Sequence, residues 1–99
     1  MFSNYNEFAF YLPGTDGSQV MFSRTSEASA HGMDIWTAPA DGGEPRRVTF
    51  FNEPGDPQYL GYAVAGGAAF DPHDPKRFVV GISQNTNGEE INAYFVTLP

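Results

Sequence analysis

The sequence predicts an all-β chain of antiparallel strands arranged as two consecutive sheets, the second incomplete, and three observations carry that expectation. Glycine and proline number 11 and 8 among 99 residues, and no window sustains a 3.6-residue apolar period, which argues against helices. The stretch from Asp34 to Thr49, DIWTAPADGGEPRRVT, packs two strands and the turn between them into sixteen residues. The third observation is an internal repeat: Val20-Met21-Phe22-Ser23 has a counterpart in Val80-Gly81-Ile82-Ser83, sixty positions further on.

The first strand, near 7–12, is the aromatic run Phe8-Ala9-Phe10-Tyr11-Leu12, closed by the turn residues Pro13-Gly14-Thr15-Asp16-Gly17. A second strand, near 18–24, contains the first copy of the repeat. The polar loop Arg24 to Gly32 then leads to a strand near 33–38, where Asp34-Ile35-Trp36-Thr37-Ala38 alternates apolar with small or polar side chains, as a half-buried strand does. Asp41-Gly42-Gly43 supplies the backbone positions of a tight hairpin, with Asp16-Gly17 and Gly42-Gly43 expected at positive φ. Arg46-Arg47-Val48-Thr49 returns as a strand near 45–51. Residues 52–66 form the one long connection, and loops of that length are often functional. The second unit follows with strands near 67–70, 77–83 and 91–98. Asp71-Pro72-His73-Asp74-Pro75-Lys76 turns between the first two of these, and Gln84 to Glu90 loops between the last two. The repeat sets Asn92 opposite Asp34 and Tyr94 opposite Trp36.

These motifs resemble the TolB-type, WD-repeat-like β-propeller repeat. Its blades read as an aromatic strand of the D-I-W or D-I-Y kind, a D-G-G turn, and a strand ending in R-x-L/V-T. Asp71 to Lys76 is similar to the D-P-x-D-P-x-R turn between the first two strands of such blades. The resemblance implies a partial propeller spanning 1–99 as one domain, with a first blade near 7–51, the connection 52–66 and a second blade near 67–99. A blade takes about 40–50 residues and a closed propeller at least about four blades, so this length provides about two. The expectation is therefore a fragment of a longer propeller, or a subunit that completes a ring by association. The second unit lacks the outermost strand of the first.

Twelve acidic against five basic residues give a formal net charge of −7, which opposes phosphate backbones and argues against nucleic-acid binding. No apolar run is long enough to span a bilayer, and no basic-then-apolar leader opens the sequence, so a soluble chain without membrane insertion is expected. A periplasmic or extracellular location follows from the resemblance alone. The absence of cysteine excludes disulfides and thiolate metal sites and is neutral on compartment.

No catalytic, metal or cofactor site is expected. Asp71, His73 and Asp74 place two carboxylates and an imidazole within four residues, but caps on a proline-rich turn account for both aspartates. Glu89 and Glu90 are neighbours on a strand and so point to opposite faces. The Arg46-Arg47 pair reads as solvated side chains on an edge strand. G-x-S-x-G, H-E-x-x-H and the sialidase-type S-x-D-x-G-x-x-W are all missing. Asp34 is expected to bond backbone or a neighbouring turn, with Asn92 doing the same in the second copy. The resemblance places Trp36 in the core between blades, with Phe22, Ile35, Phe70, Val80, Ile82 and Tyr94 around it. Candidate interaction positions are His31 in the loop after the second strand, Asp56 and Tyr59 in the connection, and His73 in the Asp-Pro turn.

The function these features imply is a non-catalytic propeller scaffold that binds a protein partner, or the remainder of a longer propeller, with self-association of the isolated chain. The alternative is the propeller portion of a larger enzyme, either a prolyl-oligopeptidase-type peptidase or a polysaccharide lyase. The former needs a Ser-Asp-His domain and the latter converging metal-binding histidines, neither of which these residues provide.

Overall fold

The turn residues and the two-residue alternation of the sequence are realised as seven strands and no helix in the computed structural model, which describes residues 6–25, 32–84 and 91–99. The strands are β1 (Asn6–Tyr11), β2 (Gln19–Thr25), β3 (Met33–Pro39), β4 (Arg46–Arg47), β5 (Val64–Asp71), β6 (Asp74–Ser83) and β7 (Ile91–Thr97). Each corresponds to a strand expected from sequence. β4 is shorter than expected, because past Arg47 the chain leaves the regular ladder: the amides of both Val48 and Thr49 donate to the carbonyl of Ile35. β5 starts earlier than expected, at Val64, so the true connection ends one residue before it.

β1, β2 and β3 form an antiparallel meander, with a bulge in β1 between Glu7 and Ala9. Its first turn needs left-handed backbone at Gly14, Asp16 and Gly17, with φ of 76°, 57° and 80°, and is closed by Leu12 N–H donating to the Gln19 carbonyl at 2.9 Å. The turn after β3 places Gly42 at φ 97° as expected. Gly43 is a correction: it is not among the positive-φ glycines, and its N–H donates instead to Asp41 Oδ1 at 3.1 Å, so an aspartate-capped turn takes the place of a second left-handed residue.

The second meander, β5-β6-β7, is antiparallel throughout. Its tight turn is capped as expected: His73 N–H donates to Asp71 Oδ1 at 2.8 Å and Lys76 N–H to Asp74 Oδ1 at 2.9 Å. The two meanders are not separate sheets. A single parallel pair, Met33 with Val64, joins them into one mixed sheet of seven strands in the order β1-β2-β3-β5-β6-β7, with β4 on β3. β3 splays between two neighbours, its start reaching β5 and its middle pairing with β4.

One apolar cluster draws on both meanders. Met21 and Ile35 come from the first, Ala65, Phe78, Val80 and Ile82 from the second, and Phe51 and Ala63 from the connection. β6 shows the period directly, with Phe78, Val80 and Ile82 buried and the residues between them only half-buried. Phe70 packs edge-on to Phe10 across the two halves with ring centroids 6.0 Å apart, and Phe51 meets Tyr94 at 5.7 Å.

Trp36 is a second correction. Ile35 takes the core side of β3, and adjacent strand residues point to opposite faces, so Trp36 lies on the other face, cross-strand from Phe22. It is half-buried under the Arg24 guanidinium, 4.8 Å from the ring centroid, and its buried indole N–H has no acceptor among the described residues. Of its expected companions, Ile35, Val80 and Ile82 are buried in the core, Phe70 and Tyr94 pack against it, and Phe22 shares the face of Trp36.

The turn geometry sets an expected result. A Cβ on Gly42 would meet no atom within 4 Å, so Gly42→Val acts through backbone strain alone. A forced left-handed residue costs about 1–3 kcal/mol. Gly66 has equal space and no left-handed φ, so Gly66→Ala should stay within about 1 kcal/mol of the parent. Thermal melts that rank Gly66→Ala below Gly42→Val would refute the assignment.

Candidate functional site

The densest polar constellation is built around Asp34, near the start of β3 and with no solvent exposure. Its carboxylate accepts five hydrogen bonds. Thr49 Oγ1 and the Phe51 N–H donate to Oδ1 at 2.6 and 2.8 Å, while Arg47 Nη2, the Asn52 N–H and Asn52 Nδ2 donate to Oδ2 at 3.0, 3.2 and 3.0 Å. A carboxylate has about four lone-pair sites, so Asp34 has no acceptor capacity left for a substrate. Burial without an open lone pair makes it a structural centre.

Each partner of Asp34 is anchored a second time. Thr49 Oγ1 accepts the Ile35 N–H at 3.0 Å. Arg47 donates through Nε to the Thr49 carbonyl and through Nη1 to Glu53 Oε1, both at 2.9 Å, and its guanidinium lies over the Phe50 ring at 4.7 Å. Asn52 donates to the Met33 carbonyl and accepts the Ala63 N–H at 2.9 Å. Since Ala63 immediately precedes β5 and its carbonyl accepts the Met33 N–H, the network fixes how the chain passes from the first meander to the second.

This network corrects two expectations. Arg47 is not a solvated edge residue: its side chain is only 18% exposed and ion-paired to Asp34, whereas Arg46 is exposed. Asn92 does not repeat the duty of Asp34, because its side chain is exposed and donates to Gln84 Oε1 at 3.2 Å. The expectation that Asp34 bonds backbone holds, through the amides of Phe51 and Asn52. Asn52 and Glu53 were legible only as connection residues, and no local pattern marked them as its companions.

The candidate interaction positions do not converge. Asp56 accepts the Gln58 N–H at 2.9 Å and shapes a turn that leaves Tyr59 46% exposed. Both lie in the connection that leads to the start of β5, whereas His73 sits in the turn at the other end of that strand, beyond Asp71. Gly14, in the β1–β2 turn, is also at the His73 end, with Pro75 beside it. His31 lies outside the described residues, as do Glu89 and Glu90.

Two open clefts adjoin β7. One of 380 Å³ runs between the connection, at Phe51 and Leu60, and β7, at Tyr94 and Val96. The other, of 270 Å³, lies over Ala69 and Val79 beside Phe95. Among the described residues no group of three or more His, Asp or Glu is placed to hold a metal ion, and no helix is long and apolar enough to cross a membrane. Fold and site together define an all-β module organised by a saturated buried aspartate. Comparison with protein-family models, curated proteins and solved structures gives no match.

Proposed function

We infer that the chain is a non-catalytic scaffold of the propeller type, contributing about two blades, whose exposed end loops bind a protein partner. The observation that carries this reading is the hydrogen bond that joins the two ends of the motif of the resemblance within the Asp34 network. Asp34 and Thr49 are the D of D-I-W and the T of R-x-V-T, and Thr49 Oγ1 donates to Asp34 Oδ1 at 2.6 Å; Arg47, which also pairs with Asp34, stands at the variable position, and the motif arginine, Arg46, is exposed. A motif whose ends hydrogen-bond across the turn that separates them holds the first meander together, while Asn92, at the matching place in the second, is exposed and donates to Gln84. Two successive antiparallel meanders share one core, the first with a fourth strand, which supports a two-blade arrangement in which the parallel pair Met33–Val64 joins the blades.

Ring closure tests the architecture. Tandem chains of two, three and four copies should include one length that unfolds cooperatively and is at least about 10 °C more stable than the single copy, since a closed ring leaves no uncovered blade face. Stability that is flat across the series would refute the propeller reading. For the scaffold function, a partner recovered by crosslinking should be lost with Tyr59→Ala at an unchanged melting temperature. Capture unaffected by any substitution in the end loops would refute the function while leaving the fold intact.

A further inference from the structure

Edge strands in natural proteins carry devices that prevent pairing with another chain, such as a charge, a proline, a bulge or a short length. β1, one edge of this sheet, has a bulge and a glutamate. β7, the other, has neither. Its register with β6 runs without a shift from Arg77–Thr97 to Ser83–Ile91, and among the described residues it pairs with no other strand. Residues 91–99, INAYFVTLP, contain no charged side chain in a chain of net charge −7. Two copies approaching along this edge therefore meet through uncharged β7 side chains, with the Arg77 guanidinium of β6 lying over the Phe95 ring at 4.5 Å.

The flanks of β7 are suited to a further strand. Tyr94 and Val96 turn toward the core and line the 380 Å³ cleft opposite Phe51 and Leu60, while Ala93 and Phe95 face outward, Phe95 67% exposed. A strand laid antiparallel on β7 continues that alternation, sending its inward side chains into the cleft and setting its outward ones beside Phe95.

We propose that the occupant is β7 of a second copy of this chain, paired antiparallel about a two-fold axis passing near Tyr94 and Phe95. Such pairing is self-complementary, because it sets inward residues opposite inward residues and uncharged ones opposite uncharged ones. The assembly closes at two copies, since among the described residues each chain uses the one long edge strand that carries no device against pairing. This inference rests on β7 alone and stands or falls independently of the propeller reading.

Sedimentation equilibrium of the 99-residue chain tests it. The parent should be a dimer at tens of micromolar, and Phe95→Lys and Ala93→Lys, which place like charges near the axis, should each raise the dissociation constant at least about tenfold. Ala69→Lys, on the outward face but away from the edge, should leave it unchanged. Both β7 sites are exposed, so circular dichroism of the variants should match the parent. Hydrogen exchange provides a readout without substitution, with amides of β7 becoming more protected as concentration rises. A monomeric parent, open-ended assemblies, a dimer more sensitive to Ala69→Lys than to Phe95→Lys, or β7 exchange independent of concentration would each overturn the proposal.

Discussion

Asp34→Ala is expected to destabilise the chain by about 3 kcal/mol or more, because it removes the common acceptor of five hydrogen bonds and leaves the Arg47 guanidinium and the Phe51 and Asn52 amides without it. For a domain of this size that corresponds to a melting temperature lower by about 12 °C or more. Asp34→Asn should be nearly as damaging, since an amide presents donors where Arg47 and Asn52 already point N–H groups. The repeat offers an internal control: Asn92→Ala, at the matching but exposed position, should cost within about 0.5 kcal/mol. Denaturant unfolding of the three variants checks the set. Equal effects at positions 34 and 92 would show that the network contributes nothing beyond the strand itself.

The second large effect is expected at Phe78, a fully buried core residue whose ring lies 5.2 Å from that of Phe70. Phe78→Ala should cost about 3–5 kcal/mol, from lost apolar burial plus the cavity left between the meanders. Small domains have only about 5–15 kcal/mol in total, so this variant should sit close to unfolding at room temperature. In the monomeric chain Phe95→Ala removes the same group from a position 67% exposed and should cost under about 1 kcal/mol. A chemical-denaturation midpoint for Phe78→Ala close to that of Phe95→Ala would refute the assignment of the core to the β6 face.

The strands and turns were legible in the sequence because their determinants are local. Left-handed backbone at Gly17 and Gly42 and the Asp71 and Asp74 caps all follow from residues at most two positions away. Alternation predicted that one side of Asp34-Ile35-Trp36 would be buried. It did not say which, because both Ile35 and Trp36 are apolar, and tertiary packing made the choice: Ile35 joins the buried cluster that includes Val80 and Ile82, and Trp36 lies beside Phe22 and under Arg24. The Arg46-Arg47 pair illustrates the same limit, since only the position of Asp34 thirteen residues earlier separates a half-buried Arg47 from an exposed Arg46.

What the sequence determined by itself is the all-β class, the order of strands and, Gly43 apart, the turn chemistry, since each is set by interactions within a few residues. Tertiary structure decided three further points: the joining of two meanders through one parallel pair, the saturation of Asp34 by residues 47–52, and the different fate of its repeat counterpart Asn92. These depend on distant segments meeting in three dimensions. A carboxylate at the start of a strand looks the same in sequence whether water or five protein donors surround it, and burial among those donors is what makes Asp34 the centre of the fold.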